Sequence, residues 1–99
     1  MVLPLLSLQF AYLLDVFYTY IIESEKTKKW YYGFTKDLEQ RIGNHNRGWN
    51  KSTRDRGPWK LVFVRPFEKE KEAGNLNATL SEQGTRILLR MHSAHIFFL

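Results

Sequence analysis

The stretch WYYGFTKDLEQRIGNHNRG, residues 30–48, decides the fold because its apolar pattern changes period partway along. Its first part, within KKWYYGFT at residues 28–35, is aromatic and reads as a β-strand. From there Leu38, Ile42 and His45 recur at i, i+4 and i+7, the spacing of one helical face. Thr35 is placed to cap this helix, Asp37 suits its first turn, and Gly48 suits its end. Gly43 inside it costs about 1 kcal/mol against alanine.

Working outward, FYTYIIES at residues 17–24 is rich in β-branched and aromatic residues and predicts a strand. Only the short polar EKT, residues 25–27, separates it from the next, so an antiparallel hairpin is the economical connection. On the other side, RGWNKSTRDRGP, residues 47–58, reads as a polar, basic loop. WKLVFVRPF, residues 59–67, reads as a third strand, with Pro66 marking its end or an edge position. EKEKEA, residues 68–73, begins a second helix. Beyond it, GNLNATLSEQG mixes helix formers with breakers, which predicts a displaced or interrupted helix. The order β-β-α-β-α predicts a small α/β (α+β) domain, a three-stranded antiparallel sheet flanked by helices. It occupies residues 17–80, between an apolar extension at 1–16 and an atypical tail at 81–99.

The chain has 99 residues, enough for one modest core. Its 43% hydrophobic content is that of a globular protein. The absence of cysteine excludes disulfides and thiolate metal sites, and fits a reducing, cytoplasmic compartment. The apolar start lacks a basic leader and a small-residue cleavage site, and so makes a poor signal peptide. It reads as a helix packed on the domain, a weak membrane anchor, or sequence foreign to the natural protein; a membrane association is the least favoured. The net charge is +5, and 13 of the 15 basic residues lie between Lys26 and Lys71. A basic middle attracts polyanions, phosphate backbones above all, or serves only as a solvated surface.

Residues 17–73 resemble the GIY-YIG nuclease domain, in the short single-domain form found in bacteria. The first motif stands as Tyr18-Thr19-Tyr20 and the second as Tyr31-Tyr32-Gly33; Arg41 follows ten residues after Tyr31, with His45-Asn46 one turn beyond. PWKLVF and FEKEKEA match the third strand and the entry to the next helix. The resemblance implies a metal-dependent endonuclease that hydrolyses phosphodiester bonds in DNA or another nucleic acid. In that family's terms Tyr31 positions or deprotonates the attacking water, Tyr20 faces the same site, and Arg41 contacts the scissile phosphate, a task suited to a guanidinium fork. Magnesium or manganese is implied as cofactor, held by a glutamate in the second helix. Here that position is Asn77. Tyr18 stands in place of the first motif's glycine.

The residues allow blander readings as well. Strand tyrosines are ordinary half-buried β-formers, although residues two apart share a face, so Tyr20 and Tyr31 converge if the faces coincide across the hairpin. Gly33 is structural, leaving room for a helix or a ligand to approach. Arg41 either pairs with Asp37 or engages phosphate. His45, on the apolar face, is a structural histidine, a proton shuttle or a substrate contact. Arg47, Lys51, Arg54, Arg56 and Lys60, interleaved with Trp49 and Trp59, suit a nucleic-acid backbone, while Trp59 alone suits the start of a core strand. His92 and His95 lack companion ligands for a metal. Three functions remain: an endonuclease weakened by Asn77, a nucleic-acid-binding module without chemistry, or a truncated or frame-altered relative.

Overall fold

The computed structural model describes residues 15–83. Within them β1 (Phe17–Ser24), β2 (Trp30–Thr35), α1 (Leu38–Asn46), β3 (Trp59–Phe67) and α2 (Glu70–Gln83) follow one another. This is the expected β-β-α-β-α order. The sheet is antiparallel throughout, with β1 between β2 and β3.

The alternation of β1 sorts the core into two layers. Tyr20 and Ile22 turn to one face, where Leu38 and Ile42 of α1 meet them with Trp59, Leu61 and Tyr31. Ile21 turns to the other, against Phe63, Leu80 and the partly buried Leu76 of α2. Thr19 through Ile22 are all buried, as a central strand covered on both faces requires. A register shift against β3 between Ile21 and Ile22 moves the pairing from Phe63 to Leu61. Pro66 lies within β3 opposite Tyr18, on an edge strand whose outer side needs no donor.

The N-terminal end of α1 differs in detail from the expectation, while Gly48 ends the helix as expected. Asp37, not Thr35, is its N-cap, and accepts the Gln40 N–H at 3.1 Å. The Thr35 hydroxyl instead accepts the Asp37 N–H at 3.1 Å, bracing the turn before the cap. At the other end Gly48 adopts φ +76°, the left-handed conformation that glycine enters without strain. Its N–H donates to the His45 carbonyl at 3.2 Å and the Trp49 N–H to the Asn44 carbonyl at 3.0 Å, a Schellman termination.

α2 corrects the sequence reading. Rather than breaking after Ala73, it continues through Gly74, Asn75 and Asn77 to Gln83. Tertiary packing outweighs the poor local propensity. The Thr19 hydroxyl donates to the Ala73 carbonyl at 2.7 Å, and Leu80 is fully buried. Gly74 lets the helix lie close on Phe34, whose Cζ is 3.4 Å from where a Cβ would stand. No helix among the described residues is long and apolar enough to cross a membrane. The expectations for residues 1–14, for 84–99 and for His92 and His95 lie outside the described residues.

Candidate functional site

The face covered by α1 gathers the chemistry. Tyr20 pairs with Gly33 across the hairpin and Ile22 with Tyr31, so the two motif tyrosines share a face. Gly33 does not hold space open for a helix or a ligand. The Tyr20 side chain fills that space, and a Cβ at position 33 would lie 2.4 Å from the Tyr20 hydroxyl oxygen. The phenol thus passes over the neighbouring strand toward α1, where it meets His45 Nε2 at 2.9 Å. The Tyr31 ring lies 4.9 Å from the His45 ring, centroid to centroid. Arg41, one turn before His45 on α1, lies close enough to the Tyr20 hydroxyl for its charge to pull the phenol pKa down.

Thr53 Oγ1 stands 2.7 Å from His45 Nδ1 and a long 3.4 Å from the Asn50 carbonyl oxygen. In a neutral imidazole one ring nitrogen donates and the other accepts, so Tyr20, His45 and Thr53 form one hydrogen-bonded chain in either tautomer. A neutral imidazole agrees with the electrostatics: burial, and then the nearby Arg41 charge, lower the His45 pKa below its ordinary 6.5. Burial, with a smaller contribution from Tyr31, pushes the Tyr20 phenol up to about 12 despite the opposing pull of Arg41. Tyr20 is therefore neutral at physiological pH.

Thr53 escaped the sequence reading. It is 1% exposed in a largely polar loop, and irregular backbone offers no period to mark an inward position. Asn46 appeared only beside His45 in the motif. Its amide clamps the start of β3, accepting the Trp59 N–H at 2.6 Å and donating to the Trp59 carbonyl at 3.2 Å. Trp59 is a core residue, and its indole donates to the Thr53 carbonyl at 3.1 Å. Trp49, by contrast, is 67% exposed. Arg47, Lys51, Arg54, Arg56 and Lys60 are all exposed. Lys60 stands 3.5 Å from Glu23, and Arg54 Nε donates to the Gly48 carbonyl at 2.9 Å.

Asn77 sits on α2, the helix that packs on the opposite face of the sheet. Its Oδ1 is buried without a hydrogen-bond partner. One amide oxygen brings no charge, and a hard divalent cation prefers carboxylate oxygens. No group of three or more histidine, aspartate or glutamate side chains among the described residues is arranged to hold a metal. The described donors do not fit such an ion. An open cleft of about 580 Å³ does border Arg41, lined also by Phe17, Phe34, Lys36, Gln40 and Glu70.

Comparison with known proteins bears on this site. The family model described as the GIY-YIG catalytic domain matches residues 16–84. A UPF0213 protein of Clostridium perfringens is 47% identical over 57 residues, covering 57% of this chain and 60% of that one. A second, from Halalkalibacterium halodurans, is 44% identical over 57 residues with the same coverage of 57% and 60%. The matched stretch thus spans under two thirds of these relatives. The solution NMR structure of the UPF0213 protein BH0048 from Bacillus halodurans superposes with a TM-score of 0.51 at 32% identity, covering 80% of this chain and 84% of that one.

Proposed function

The chain belongs to the GIY-YIG catalytic-domain family, and from that premise we propose that it engages the phosphodiester backbone of DNA as an endonuclease relative with impaired chemistry. The observation that carries the proposal is the convergence of Tyr31, Arg41 and His45 on the Tyr20 hydroxyl and its surroundings. Arg41 supplies the phosphate-binding guanidinium, and the cleft beside it gives a strand room to approach. His45 holds Tyr20 in place through the hydrogen bond between its Nε2 and the phenol oxygen. Tyr31 stands beside them to orient a water. A divalent ion, where the family uses one, stabilises charge developing on the phosphate. This chain has Asn77 at the position from which the glutamate would act, which favours binding over hydrolysis.

Anisotropy with a labelled duplex and nicking of supercoiled plasmid, each with and without chelator, test the proposal together. The parent chain binds DNA and shows little chelator-sensitive nicking. Arg41→Ala weakens binding without unfolding the chain. Robust, chelator-sensitive nicking by the parent, lost with Arg41→Ala, would contradict the impairment. Absence of binding at low salt would contradict the whole reading.

A further inference from the structure

The geometry points to Trp49 as a stacking platform for an unpaired base, so that this protein selects nucleic acid already unstacked, in single strands or at interruptions of a duplex. The inference rests on the nucleic-acid reading above and adds the substrate class. Trp49 is the exposed large hydrophobic residue among those described, with 67% of its surface open to solvent. Its backbone is fixed, since the Trp49 N–H closes the Schellman termination of α1 on the Asn44 carbonyl at 3.0 Å. The Arg47 guanidinium lies 4.7 Å from its ring centroid, holding the indole by a cation–π contact. Arg47 is itself steadied by Asn44 Oδ1 at 3.3 Å.

The surroundings have the matching charge. Lys51, Arg54 and Arg56 lie exposed on the same loop, within a few residues of the indole. The loop is anchored rather than loose: Thr53 is tied to His45, and its carbonyl to the Trp59 indole. A rigid, solvated aromatic face among cations is the arrangement that stacks a base while its backbone is held electrostatically. Every base has a π-face, so such a platform reads no sequence. A continuous duplex offers no free face, because its bases are already stacked on each other. An unpaired base does, and this difference is the source of selectivity.

The test is equilibrium anisotropy with three labelled DNAs: a single strand, a fully paired duplex, and the same duplex carrying a one-base bulge. Trp49→Ala is expected to lose about tenfold affinity for the single strand and the bulge while changing the duplex by less than about twofold. Trp49→Phe, which keeps a smaller aromatic face, recovers most of that loss. Lys51→Ala weakens all three by similar factors and lowers the salt slope by about one. Circular dichroism of each variant confirms the fold. Equal losses by Trp49→Ala on all three DNAs, or none on any, would overturn the platform and leave backbone binding intact. Failure of the parent to bind any of the three overturns both readings. An effect of Trp49→Ala confined to self-association, seen by light scattering, would make this face a protein contact and also overturn the platform.

Discussion

His45 is the residue at which structure and chemistry meet most closely. It is 1% exposed and bonded through both ring nitrogens. Folding holds its pKa below 6.5, so on acidification the unfolded chain takes up the proton first. The stability this contributes is complete above pH 6.5 and is lost as pH falls from there through the lowered folded value. Thermal melts between about pH 7.5 and pH 5 should show a declining midpoint, and His45→Gln should flatten that decline while lowering the midpoint at neutral pH. Glu23, held below its ordinary 4.5 chiefly by the Trp30 indole N–H, acts with the same sign in a more acidic window. Gly33 gives a second prediction at this scale. Gly33→Ala sets a methyl into the Tyr20 phenol and must displace it from His45. We expect a loss of about 1–3 kcal/mol in denaturant unfolding, together with reduced DNA affinity. That Tyr20 and Tyr31 share a face was legible because side chains alternate along strands. Thr53 was not, because nothing local to a basic loop announces that one hydroxyl turns inward.

At the scale of elements, the strands and α1 were legible because their periods and boundaries agree with one another. β1 and β3 begin and end where the apolar runs do. α2 was legible only at its start. Its continuation depends on contacts that no local window contains: Gly74 under Phe34, the Thr19 hydroxyl on the Ala73 carbonyl, and Leu80 on the far layer of the core. The same facts predict the effect of relieving its weakest point. A Cβ at Gly74 would meet Phe34 at 3.4 Å, an ordinary contact, so Gly74→Ala should gain about 1 kcal/mol from helix propensity. For a domain of this size that raises the melting midpoint by roughly 4–8 °C, measurable by calorimetry. A fall in the midpoint would mean that Phe34 cannot yield, and that Gly74 is held there by packing.

The described residues form a sheet between two helices, and its two layers have divided their tasks. The α2 side is structural, built from Ile21, Phe63, Leu76 and Leu80. The α1 side adds to its apolar contacts the hydroxyl, imidazole and guanidinium groups, and it leads directly into the basic loop. The charge concentrated in that half predicts a steep salt dependence: DNA affinity should fall log-linearly with salt, by a slope near 0.9 for each phosphate contacted. A shallow slope would show that the positive charge serves solubility. The buried bond from Thr53 to His45 carries a further consequence, for the way this surface can change over generations. The number of residues between the end of α1 and Thr53 is set by the reach of that bond, whereas the side chains at 51, 52 and 54 point outward and are unconstrained by it. Relatives of this chain are therefore free to diverge in what the loop recognises by exchanging those side chains one at a time. An insertion or deletion ahead of Thr53 would instead disturb the imidazole, and selection would meet it as a defect of the site itself.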